Sequence, residues 1–102
     1  MKLSNKQKKF LRAKAHSLNV VVTLGAKGLT KPVKDETDLA LSIHELIKVK
    51  LPADEKAAKK AMLIALSQSV RAVDVQLIGR VGVIYRPADP AVIVLPKDKT
   101  ET

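Results

Sequence analysis

The 102 residues carry 19 lysines and arginines against 10 aspartates and glutamates, a formal net charge of +9, and no cysteine. The length suits one domain with a modest core. The missing cysteines exclude disulfides, thiolate chemistry and cysteine-built zinc sites, and no apolar run approaches the length that spans a bilayer.

The charge is also unevenly placed. Lys2, Lys6, Lys8, Lys9, Arg12, Lys14, Lys27, Lys31 and Lys34 lie in residues 1–34, where no acidic residue occurs, while the rest of the chain balances ten against ten. A solubility device would mix signs along the surface. A one-sided block instead reads as the electrostatic footprint of a polyanion.

In chain order, Ser4 followed by Gln7 predicts a capping box and a helix over Asn5–Ala15. Phe10 and Leu11, with Leu3 and Leu18, fall toward a core; Lys6, Lys8, Lys9 and Arg12 spread over a cationic wet face. Without glutamates to form i,i+4 pairs, these cations repel one another until a partner relieves them. The β-branched run Val20–Leu24, stopped by Gly25, predicts a buried strand.

Thr30 is a cap for a second helix that tolerates Pro32 in its first turn. It runs to about His44, with Val33, Thr37, Ala40, Leu41 and His44 inward. Leu46–Leu51 alternates, with Ile47, Val49 and Leu51 on one side and Lys48 and Lys50 on the other, as a half-buried strand does. Asp54 caps a third helix to about Val70, with Ala58, Ala61, Met62, Ala65 and Leu66 inward. Ala72–Ile78 and Val81–Arg86 predict a hairpin through Gly79 and Arg80, Ala91–Leu95 a further short strand, and 97–102 a flexible tail.

One domain over residues 1–96 follows, of α/β class (α+β, two layers), with the order α-β-α-β-α-β-β and a small mixed sheet packed on helices. The two βαβ steps predict parallel pairs, and the hairpin adds an antiparallel strand.

Groups for catalysis are missing. His16 and His44 form no local metal motif, and no P-loop, dinucleotide fingerprint or nucleophile elbow occurs. No enzyme activity, metal, cofactor or small-molecule substrate is expected. Asp35, Glu36 and Asp38 decorate the first half of a helix, where the dipole favours acids.

What remains is "LGAKGLT" at 24–30. A glycine pair at this spacing arises by chance in roughly half of chains this long, and a turn needing a positive φ explains it. Its context adds a second reading, because the loop runs into a helix N-terminus that attracts anions. Bare Gly25 and Gly28 would admit a sugar-phosphate backbone, held by Lys27 at the tip with Ala26, Thr30, Lys31 and Lys34 behind it. With Phe10 in the core, at most one stacking platform is left: Tyr85, beside Arg86 as a phosphate contact, reads equally as a stack or as a half-buried core tyrosine. Binding then rests on phosphates more than on base readout.

Together these segments resemble a CRM domain of the bacterial YhbY type. The matching stretches are "KLSNKQKKFLRAKAH" at 2–16, "LGAKGLT" at 24–30, "HELIKVK" at 44–50, "VQLIG" at 75–79 and "IYRP" at 84–87. The resemblance implies a four-stranded mixed sheet similar to the C-terminal domain of bacterial translation initiation factor three. It also implies RNA binding through Gly25–Gly28 and a basic first helix carrying Lys6, Lys9 and Arg12, with ribosomal RNA and pre-50S particles as partners during large-subunit assembly. Intron splicing, known from plant relatives, and docking of acidic proteins are the alternatives it leaves open. A cytoplasmic monomer without signal peptide or membrane contact is expected. Pro32 and Gly82 depart from the pattern: the first could shift the second helix, the second could loosen the last strand.

Overall fold

A computed structural model describes residues 2–97. The elements are α1 (Asn5–Ala15), β1 (Val20–Thr23), α2 (Lys31–His44), β2 (Leu46–Lys50), α3 (Lys56–Ser69), β3 (Val73–Ile78) and β4 (Val81–Tyr85). Fold class and element order are those the sequence predicts. The tail expected at 97–102 lies, apart from Lys97, outside the described residues.

Local chemistry sets the helix starts. Ser4 Oγ accepts from the Gln7 N–H at 3.1 Å, and Gln7 Oε1 accepts from the Ser4 N–H at 3.0 Å. Thr30 Oγ1 accepts from the Val33 N–H, and Pro32 fits the first turn without displacing the start of α2. At α3 the cap position belongs to Glu55, whose N–H donates to the Asp54 carboxylate. The buried face of α3 also differs from expectation: Leu63, Leu66 and Ser67 are inside, whereas Ala61 and Ala65 are exposed. Methyl groups bury little area, so the helix turns its leucines inward. His44, expected inside, is exposed at the end of α2.

The sheet order is β1-β2-β4-β3, with β1 parallel to β2 and β4 antiparallel to both its neighbours. Only the first βαβ step therefore yields a parallel pair. The hairpin folds β4 back between β2 and β3, turning at Gly79 with φ +58°. Gly82, Val83, Ile84 and Tyr85 are all buried, and a strand apolar on both faces belongs in a central slot. That leaves β1 at the edge with Val20 and Val21 exposed and Val22 alone buried, which corrects the expectation of a buried strand.

One face of the sheet packs Val22, Ile47, Val49 and Ile84 against Leu41 of α2 and Leu63 and Leu66 of α3. Gly82 serves this contact rather than loosening β4, since a Cβ there would lie 2.6 Å from Leu63 Cδ1. On the other face Leu11 and Ala15 of α1 cover Leu46, Val75, Val83 and Tyr85. The packing is therefore three layers deep, one more than expected. Leu11 takes the core position; Phe10 is 37% exposed, with the Lys14 ammonium 5.9 Å from its ring centroid.

Residues 87–97 form no strand. They make an irregular strap whose Ile93 and Leu95 pack beside α1, with Gln7 Nε2 donating to the Pro96 carbonyl at 3.2 Å. Glu45 anchors this strap. Its carboxylate, on a residue 3% exposed, accepts from the N–H groups of Ala88 (2.6 Å), Ile93 (2.7 Å) and Val92 (3.1 Å). Burial pushes this carboxyl up, but the three N–H donors together hold it below the usual carboxylate range. Burial raises the Tyr85 phenol, and the Glu45 charge adds to the shift.

Because the folded value lies below the unfolded one, the stability Glu45 contributes is present above the normal carboxylate range and is lost as pH falls through the folded value. Glu45→Gln should destabilise the protein at neutral pH by about 2 kcal/mol. Urea denaturation at several pH values should show that the variant also loses part of the acid sensitivity of the parent.

Candidate nucleic-acid interface

Strand register shows which part of the α1-covered face stays open. α1 roofs the row Leu46, Tyr85, Val73. Two further rows follow toward the opposite end: Val20, Lys48, Val83, Gln76, then Thr23, Lys50, Val81, Ile78. The last turn of α1 overhangs the first of these, so that Arg12 and His16 face Lys48, Gln76 and Val81 across a hollow. Lys48 Nζ donates to the His16 carbonyl at 3.4 Å. The last row is unroofed: Thr23, Lys50 and Ile78 are exposed. No carboxylate lies in either row or lines the hollow.

The Gly25–Gly28 loop leaves from this open end, directly after β1. The Gly28 N–H donates to the Gly25 carbonyl at 2.9 Å, making a turn with Ala26 and Lys27 exposed at its tip. The two glycines differ in kind. Gly28 is buried with φ +68°, and a Cβ there would sit 3.1 Å from Met62 Cε, so the fold itself demands glycine. Gly25 has no positive φ, and a Cβ there would meet nothing within 4 Å.

Behind the tip, α2 offers less than a full set of amides: Pro32 has no N–H, and that of Val33 is taken by Thr30. The Lys31 N–H remains for an outside anion. The Lys31 ammonium reaches Asp35 at 2.8 Å, and that hydrogen bond raises its pKa. Between the loop and the hairpin lies a second hollow, with Gly25 and Ala26 on one side and Asp54 and Arg80 on the other. Arg80 Nε donates to the Leu51 carbonyl, which ties the hairpin to the end of β2.

Not every expected residue joins this region. Lys6 and Lys9 are exposed on the outer face of α1. Lys34 faces a separate hollow beside Asp35, Asp38 and Arg71. Arg86 lies at the far end of the sheet as a strut. Its guanidinium pairs with the Asp38 carboxylate and donates to the carbonyls of Val70 (2.8 Å) and Asp38 (3.0 Å) and to Ser42 Oγ (3.0 Å). Of the two readings of Tyr85 the buried one holds: it is 1% exposed beneath α1 and cannot stack on anything outside the protein. Among the described residues there is no cluster of three metal-binding side chains and no helix long and apolar enough to cross a membrane.

Residues 3–86 match the family model described as the CRS1 / YhbY (CRM) domain. The chain belongs to the CRM domain family. It is 46% identical over 95 residues to an RNA-binding protein of Haemophilus influenzae, covering 93% of this chain and 96% of that one. It is 40% identical over 86 residues to a protein of Pseudomonas aeruginosa named a probable RNA-binding protein, covering 84% and 83%. The solution structure of a Staphylococcus aureus protein described as a candidate RNA binder superposes with a TM-score of 0.83 at 34% identity, covering 93% of this chain and all of that one. CRM-domain RNA-binding proteins are non-enzymatic.

In this CRM domain, Lys48, Lys50, Gln76 and Arg80 were not picked out from the sequence. The alternation in "LIKVKL" puts the two lysines on one face, but only the strand order reveals that α1 leaves that face open.

The two loop glycines should separate experimentally. Gly28→Ala should cost about 1–2 kcal/mol in urea denaturation for its left-handed backbone. Gly25→Ala should stay within about 0.5 kcal/mol of the parent.

Proposed function

We propose that this CRM domain is a cytoplasmic, non-enzymatic RNA-binding module that acts as a monomer on ribosomal RNA in large-subunit precursors. The observation that carries the reading is the carboxylate-free open face joining α1 to the Gly25–Gly28 loop. A phosphate backbone laid along Arg12, Lys48 and Lys50 meets no carboxylate on that face. Toward Lys27 it passes Asp54 only across the hollow from the loop, where Arg80 stands beside it. At the loop it reaches a surface kept bare by Gly25. The exposed amides at the turn and the Lys31 N–H supply donors there, and Lys6 and Lys9 extend the field outward along α1. The names of the relatives from Haemophilus influenzae and Pseudomonas aeruginosa support RNA as the polyanion. Arg86, engaged with Asp38, Val70 and Ser42, stands outside this track.

If about six cations contact RNA, the logarithm of affinity should fall with that of salt at a slope near −4. Arg12→Glu combined with Lys27→Glu should flatten the slope to about −3 and weaken binding whatever the sequence. Arg86→Ala should leave the slope unchanged and instead lower folding stability by about 2 kcal/mol. Equal binding of structured ribosomal RNA by parent and double variant would refute the track. Co-sedimentation with precursor particles that survives ribonuclease would point to protein docking instead.

A further inference from the structure

We propose that the hollow between the last turn of α1 and the open end of the sheet receives one unstacked purine base of the bound RNA. The inference rests on the RNA-binding reading above and adds base recognition to a surface otherwise suited to phosphates. The hollow encloses about 230 Å³. Its lining is mixed in a way that a phosphate track does not require. Half-buried Val81 gives an apolar floor, with Val83 behind it beneath α1, and Ile78 stands at the lip 66% exposed, in the same strand row as Lys50. Arg12 and Lys48 supply positive walls, and no carboxylate is present.

Each component has a counterpart in a base. The floor offers apolar contact to one ring face, and a guanidinium plane such as that of Arg12 stacks on a base splayed from a single strand. Gln76, half-buried on β3, brings an amide carbonyl and an amide N–H group to the wall of the hollow. A glutamine amide matches the N6 and N7 edge of adenine with two hydrogen bonds. A purine also covers more of the floor than a pyrimidine does. The flanking phosphates are then left to Lys48 and Lys50, so one nucleotide can be held by base and backbone together.

Fluorescence anisotropy can test this with short RNA strands of equal length and charge: all-adenosine, all-uridine and abasic, each titrated over a salt series. The parent should bind the adenosine strand about tenfold more tightly than the abasic one, the lower end of what one stacked and hydrogen-bonded base contributes. Gln76→Ala and Ile78→Ser, both at solvent-accessible positions, should lose most of that preference while keeping the parent salt slope. The uridine strand should bind more weakly than the adenosine one. Equal affinity of the parent for adenosine and abasic strands, or for adenosine and uridine strands, with the slope intact, overturns the purine pocket and leaves RNA binding standing. Full preference retained in both variants also overturns it. Failure to bind any strand, or structured ribosomal RNA, in a salt-dependent way removes the RNA reading and the pocket together.

Discussion

One short helix has to roof one whole face of a four-stranded sheet, and much of the molecule is arranged around that shortage. The eleven residues of α1 rise about 16 Å, and a helix with its side chains is about 10 Å wide. Four strands spaced near 4.8 Å reach about 14 Å from first to last, each strand running a comparable length. α1 therefore covers part of the face only, and the remainder must be closed by other means or made compatible with water. At one end the strap supplies Ile93 and Leu95. At the other, β2 presents Lys48 and Lys50, whose long stems lie on the sheet while their charged heads stay wet. The open region is thus a consequence of packing, and the lysines that make it compatible with water also give it its positive charge.

Closing the first end depends on Glu45. Its N–H completes the last turn of α2 on Leu41, its carbonyl accepts from Arg86, and its carboxylate gathers the strap. Its φ of +64° is a sparsely populated conformation costing about 1–3 kcal/mol, which three charge-assisted hydrogen bonds in a buried place can offset. Arg86, next to β4, does the corresponding work on the other side by joining α2 to the end of α3. Both residues lie at the end of the sheet remote from the Gly25–Gly28 loop. At the loop end Arg80 and Lys59 donate to the Leu51 and Gly79 carbonyls, while Lys27 stays exposed at the tip of the turn.

How much of this could be read in advance follows from the range of each interaction. The capping box at Ser4 and Gln7, the Thr30 cap and the Gly79 turn depend on residues within a few positions of one another, and they were legible. Phe10 was misplaced because it and Leu11 are adjacent on the helix, and only the packed sheet decides which of two neighbours is buried. The alanine-rich α3 gave little periodicity for the same judgement. Strand order was beyond reach, because a βαβ step looks the same whether or not a later strand inserts between its members. That insertion puts β4 in the centre of the sheet and Tyr85 beneath α1, while the short reach of α1 leaves Lys48 and Lys50 on an open face. Arg86 was indistinguishable from a surface cation until its acceptors on α2 and α3 were brought beside it.

Sorting residues by whether the fold already uses them sharpens the loop. Gly79 and Gly28 adopt left-handed backbone, and Gly82 makes room for Leu63; each is required from within. Gly25 is required by nothing inside the protein. The cations divide in the same manner. Arg86 and Lys31 have carboxylate partners, and Arg80, Lys59 and Lys48 donate to backbone carbonyls. Lys27 projects from the exposed tip of the turn. The glycine pair therefore combines two requirements that its spacing alone cannot separate. Gly28 shapes the turn, and Gly25, which the packing does not need, leaves the surface bare beside the exposed Ala26 and Lys27.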